Sequence, residues 1–108
     1  MHATDHWYTI ERLDVVADEP TAAIAIVGNS ITDGRGSTTN QVNRWTDVFS
    51  ERLLANPATS NLAVLNMGIG GNCVLGGGLG PAAVNRYQRD LFGQEGVKWL
   101  KKKLNLQM

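Results

Sequence analysis

A chain of 108 residues, 43% hydrophobic and 19% charged, has room for one domain with one core. Its ten basic residues balance ten acidic ones, so the overall charge points neither to nucleic acid nor to an acidic membrane surface. With Cys73 as the single cysteine no intrachain disulfide can form, and no apolar run is long enough to span a bilayer.

The first fourteen residues are too polar for a signal peptide, so no export signal is expected in them. His2 and His6 stand four apart, a spacing that on a helix would put two imidazoles on one face. No third ligand accompanies them, and a frayed polar terminus is the simpler expectation. From Trp7 to Val16, aromatic and β-branched residues mixed with charges suit an edge strand or a lead-in packed beside the core. Asp18-Glu19-Pro20 breaks that stretch, so residues 1–21 read as an N-terminal lead-in.

Ala22 to Val27 is a short apolar run that stops at Gly28, which suits a buried parallel strand. It delivers Asn29-Ser30-Ile31-Thr32-Asp33-Gly34 to the strand's carboxyl end, where open α/β sheets place their ligands. A serine there is exposed to substrate, and its own N–H can help hold a developing oxyanion. Arg35 to Asn43 lacks periodicity and reads as a loop. With Asn43 as N-cap, Trp45, Val48, Phe49 and Leu53 share one face of a helix that ends near Asn56-Pro57. Leu62 to Asn66 is a second short apolar strand.

The stretch Met67 to Gly80 is dominated by glycine, which lets backbone approach a ligand closely or merely supplies turns with positive φ. Pro81 suits the first position of a second helix, and Val84, Tyr87 and Leu91 line one of its faces. Val97 to Leu100 begins a third strand. Three consecutive lysines do not suit a buried central strand, so residues 101–108 are expected to be a solvated basic tail rather than a nucleic-acid or membrane patch. Two right-handed crossovers fit a sheet ordered second, first, third strand, with the two helices on opposite faces. The switch point would then lie between strands one and three, beside Ser30. The expected class is α/β, a three-layer α/β/α flavodoxin-like parallel sheet that is incomplete.

The segment Gly28-Asn29-Ser30-Ile31-Thr32, continued by Asp33-Gly34, resembles the Gly-Asp-Ser-(Leu/Ile) nucleophile block of the SGNH, or GDSL, ester hydrolases. Asn29 stands where the family name has Asp. Asn66 to Asn72 resembles the family's second block. The resemblance covers most of residues 7–100 and makes residues 22–100 the N-terminal part of an SGNH-type domain. It implies that Ser30 is the nucleophile, that the N–H groups of Ser30 and Gly71 hold the oxyanion, and that Asn29, Asp33 and Asn72 belong to the loops around the site. No metal and no organic cofactor is implied.

The family's third block, Gly-x-Asn-Asp, and its C-terminal Asp-x-x-His block are not found, and after His6 the sequence has no histidine. A complete domain is nearly twice as long, so a truncated and poorly active form is expected. Losing one oxyanion donor costs about 10²–10³ in rate and losing a triad serine or histidine on the order of 10⁶. Without an imidazole, Asp33 is expected to be a turn or loop ligand rather than a triad acid. Cys73, among small and apolar neighbours, is expected to pack. Gly78-Leu79-Gly80-Pro81-Ala82-Ala83 matches a dinucleotide fingerprint, but no strand leads closely into it and Pro81 lacks the N–H a phosphate would want.

The leading expectation is a serine ester hydrolase acting on acyl or acetyl esters, those of carbohydrates among the candidates. The competing one is a non-catalytic binding or partner module that keeps the cleft and self-associates or docks a missing C-terminal half. Complete family members are often secreted, so the compartment stays open.

Overall fold

The computed structural model describes residues 12–17 and 20–103, the last three through their backbone alone. His2, His6, the first half of the Trp7–Val16 stretch and residues 104–108 of the expected basic tail lie outside the described residues.

The apolar run Ala22–Gly28 forms β1, and its near-complete burial follows from its place at the centre of the sheet. Leu62–Gly68, β2, and Val97–Lys103, β3, pair with it on either side, and both pairings are parallel. The order β2-β1-β3 is the one expected from the two crossovers. The β1/β2 register runs unbroken from Ala22 opposite Leu62 to Gly28 opposite Gly68, whereas the β1/β3 register shifts between Ala23 and Ile24.

Side chains alternate across a strand, and the two faces take different helices. Ala25 and Val27 point to one face, where Ala83 and Leu91 close a small core with the half-buried Leu65, Met67 and Val97. The helix on that face is α3, Ala83–Tyr87, which runs directly into a π-helical turn, Gln88–Phe92. Ile26, fully buried, points to the other face, as does its register partner Asn66. A single helical turn, α1 (Ser30–Asp33), and a longer helix, α2 (Trp45–Ala55), lie over that side, since Asn66 reaches both of them. The chain is thus a small α/β domain whose three-stranded all-parallel sheet is flanked by helices, compatible with a flavodoxin-like arrangement. No helix among the described residues is long and apolar enough to cross a membrane.

Four expectations are corrected. The described half of the N-terminal stretch, residues 12–17, forms no strand, and Leu13, Val15 and Val16 are exposed. Their side chains meet no apolar surface, and strand propensity counts only where packing supports it. Second, α2 starts one residue later than Asn43 implies. Arg44 is its N-cap, with its N–H donating to the Asp47 carboxylate at 2.8 Å, while the Asn43 amide is spent on Thr38 in the preceding loop. Third, the second helix begins at Ala83 rather than Pro81, and its Val84 and Tyr87 are exposed. Leu91 is buried as expected, but it shares the inward side with Ala83 and Arg86, because the wider π-helical turn breaks the 3.6-residue period after Tyr87. Fourth, β3 does not stop at Leu100: Lys101, Lys102 and Lys103 pair with Ile26, Val27 and Gly28. β3 is an edge strand, and lysine is tolerated and common at sheet edges.

The end of β2 passes so close to α1 that a Cβ on Gly68 would collide with the Asp33 backbone nitrogen and come within 2.8 Å of the Thr32 carbonyl carbon. Backbone atoms cannot swing aside as a flexible side chain can. Gly68→Ala is therefore expected to lower stability by about 1–3 kcal/mol, as overpacking does. Thermal melts of the variant against the parent chain would measure it, with amide shifts confined to residues 29–34 and 66–70.

Candidate functional site

Ser30 is the first residue of α1, immediately beyond the carboxyl end of the central strand, and is half-buried. Asn29 caps the turn. It is buried and extended, and its Oδ1 accepts the Ile31 N–H at 3.3 Å, while its carbonyl accepts the Asp33 N–H at 2.9 Å. Asn29 thus fixes the start of the turn through its Oδ1. The turn ends on Gly34 in the left-handed region, whose N–H returns to the Ser30 carbonyl.

One turn of helix is too short to satisfy its own carbonyls, so each must find a partner elsewhere. The Ser30 carbonyl accepts from Gly34 N–H at 3.0 Å and Arg35 N–H at 2.8 Å. The Ile31 carbonyl accepts from the Trp45 indole at 3.1 Å. That of Thr32 accepts from Asn66 Nδ2 at 2.7 Å, and that of Asp33 from Arg44 Nε at 2.7 Å. Asn66 also reaches the buried Thr46 hydroxyl at 3.1 Å and, through Oδ1, the Gly68 N–H at 2.9 Å. The start of α2, one strand and the cap residues Gly34 and Arg35 hold the turn that carries Ser30.

The glycine segment after β2 comes to the same end of the sheet. Ile69 N–H donates to the Gly28 carbonyl at 3.1 Å, and Gly70 N–H to Asp33 Oδ2 at 3.2 Å. Ile69 to Asn72 is then a tight turn closed by Asn72 N–H on the Ile69 carbonyl at 3.1 Å, with Gly71 at φ +71°. That backbone conformation is the one glycine takes without cost. The turn's own bond leaves the Gly71 N–H out. Among the described residues the Ser30 hydroxyl and the N–H groups of Ser30 and Gly71 have no hydrogen-bond partner. The turn that carries Ser30 and the glycine turn therefore meet through Asp33 on Gly70 and the Gly28 carbonyl on Ile69.

Asn72 is placed differently from what a site-loop role implies. It is buried, its Nδ2 donates to the carbonyls of Leu79 at 3.0 Å and Pro81 at 2.7 Å, and its Oδ1 accepts from Arg86. Its whole amide is engaged in holding the glycine loop. Arg86 was not singled out by the sequence. It is 2% exposed, and it donates through Nε and Nη2 to Asn72 Oδ1 at 3.2 and 2.9 Å and through Nη1 to the Met67 carbonyl at 2.9 Å and Asp90 Oδ2 at 2.8 Å. The signal available was the Arg86/Asp90 pair at i, i+4.

A surface depression lined by Asp33, Arg44, Asp47 and Asn66 adjoins the turn that carries Ser30. A larger hollow, lined by Trp45, Val48, Phe49 and Arg52, lies on α2 and includes neither Ser30 nor Gly71. We place the site at the strand ends, where the unengaged donors gather, and not in the larger hollow. Cys73 is half-buried and unpaired by disulfide, and no three His, Cys, Asp or Glu side chains among the described residues cluster as a metal site requires.

No protein-family model matches this chain, and no curated protein matches it at a significant level. Its class therefore stands on the fold and the site geometry: an α/β domain with a serine turn and a glycine turn side by side at the carboxyl end of a parallel sheet.

Burial raises the Asp90 carboxyl, but hydrogen bonds from Arg89 and Arg86, reinforced by their charges, outweigh it and hold the group below the ordinary carboxylate value. A carboxyl depressed on folding stabilises the protein wherever it is ionised in both states, and that contribution disappears as pH falls through the ordinary value to the lower folded-state one. Asp90→Asn is expected to cost up to about 3–5 kcal/mol at neutral pH, since it strips the charge partner from a buried guanidinium. The difference from the parent chain should shrink below about pH 5. Denaturant titrations across pH would check both statements.

Proposed function

We propose that this chain carries the nucleophile turn and the oxyanion turn of an SGNH/GDSL-type serine ester hydrolase acting on acyl or acetyl esters, those of carbohydrates included. The observation that carries the reading is the placement of Ser30 at the carboxyl end of the central parallel strand with its hydroxyl unengaged. The neighbouring turn leaves the Gly71 N–H equally unengaged. On this reading the Ser30 Oγ adds to the ester carbonyl carbon and gives up its proton. The tetrahedral oxyanion is met by the N–H groups of Ser30 and Gly71. Collapse expels the alcohol, which takes up a proton, and water later releases the acid from acyl-Ser30.

A serine hydroxyl needs a base to become a useful nucleophile. The described residues contain no histidine, and Asp33 is engaged with Gly70 rather than aimed through an imidazole. Acylation is accordingly expected to be slow and turnover small. Incubation with p-nitrophenyl acetate should add one acetyl group at Ser30, seen by intact mass and peptide mapping, with hydrolysis only a small multiple of background. Ser30→Ala should take up none there. Absence of label on Ser30 would overturn the nucleophile assignment, and rapid turnover lost in Ser30→Ala would overturn the claim that no base is at hand.

A second reading, a binding or partner module, is favoured by one observation. β3 is an edge of the sheet, and Trp99 and Leu100 on it are about half exposed. Exposed strand edges recruit further strands. Sedimentation velocity over a range of concentrations should show self-association that weakens in Trp99→Lys. A concentration-independent monomer would remove this reading.

A further inference from the structure

We infer that Arg86 is a positioning residue for the Gly71 N–H, acting through Asn72; the inference rests on the reading of Ser30 and Gly71 as the oxyanion donors. The guanidinium grips the chain on both sides of the glycine turn. Nη1 holds the Met67 carbonyl just before Gly68, while Nε and Nη2 converge on Asn72 Oδ1 just after Gly71. Asn72 in turn closes the turn with its own N–H on Ile69 and spends its Nδ2 on the far side of the loop, at Leu79 and Pro81. The side chain of Arg86 is 1% exposed, and that of Asp90, which balances its charge, is 14% exposed.

A buried guanidinium is a costly way to fasten a helix to a sheet, because desolvating the charge opposes folding and an apolar side chain of similar volume would anchor α3 as well or better. What an apolar side chain lacks is a planar set of donors that fixes several oxygens at once. Here those oxygens are the two ends of the segment whose orientation sets the Gly71 N–H. The opposite side of the same turn is held by Asp33 on the Gly70 N–H. The turn is therefore clamped between the nucleophile segment and α3, and an oxyanion donor is useful only when its direction is fixed before the charge develops.

The test compares the full chain with Arg86→Lys, which keeps the charge and loses the fork, and with Asp90→Asn, which leaves Arg86 in place without its carboxylate. Acetylation of Ser30 by p-nitrophenyl acetate is followed by mass over a range of ester concentrations. In parallel, the Gly71, Asn72 and Ser30 amides are observed by two-dimensional NMR. In Arg86→Lys the limiting acetylation rate should fall by about tenfold or more, part of the about 10²–10³ lost with an oxyanion donor. The half-saturating ester concentration should stay unchanged. The Gly71 and Asn72 amides should shift and exchange faster while Ser30 stays put, and Asp90→Asn should move the same quantities in the same direction. Failure of the parent chain to acetylate at Ser30 would overturn the proposed function and this inference with it. Acetylation of the parent at Ser30, with unchanged limiting rate and Gly71 amide in Arg86→Lys, would overturn this inference alone. Should Arg86→Lys fail to fold, the same two readouts in Asp90→Asn decide the matter.

Discussion

The four carbonyl groups of α1 are the constraint on which the rest of this structure hangs. A single helical turn gains almost nothing from cooperativity, so Ser30–Asp33 holds its shape only through bonds made from outside. Each such bond is worth about 1 kcal/mol net, yet leaving a buried carbonyl unpaired costs about 1–3. The partners come from the cap at Gly34 and Arg35, from Arg44 and Trp45 at the start of α2, and from Asn66 in β2. Moving any of these elements would strip a carbonyl. The position of the turn that carries Ser30 is therefore decided by the packing of one whole face of the sheet.

The opposite face works on the glycine turn in the same way, with one residue in place of several. Arg86, buried on the inward side of α3, reaches through to the end of β2 and to Asn72. The two turns that flank the candidate site are thus anchored to different layers. They meet through the Gly70 N–H on Asp33 and the Ile69 N–H on the Gly28 carbonyl. Small residues at the junction permit that meeting, Gly68 above all, since backbone of α1 occupies the space its side chain would need.

The strands and their order were legible because burial on both faces writes β1 as an uninterrupted apolar run, and the two crossovers then leave little choice of topology. The position of Ser30 followed from the same run ending at a glycine. Arg86 was not legible, because an arginine within a helical stretch is ordinarily a solvated residue, and its partners lie 4, 14 and 19 positions away. Val84 and Tyr87 misled for a related reason: a helical face read at 3.6 residues per turn does not survive a π-helical turn, which leaves Tyr87 outside in edge contact with Phe92 at 5.8 Å. The strand pairing of Lys101–Lys103 was hidden by their charge, which argues against a central strand and says nothing against an edge.

The indole of Trp45 is bonded to the carbonyl of Ile31, the residue next to Ser30. That contact couples a chromophore to the turn that carries Ser30. Indole emission responds to the hydrogen bonding and solvation of its N–H, so displacement of α1 relative to α2 is written into the colour of the protein's own fluorescence. The chain carries an internal optical gauge of the segment that presents Ser30.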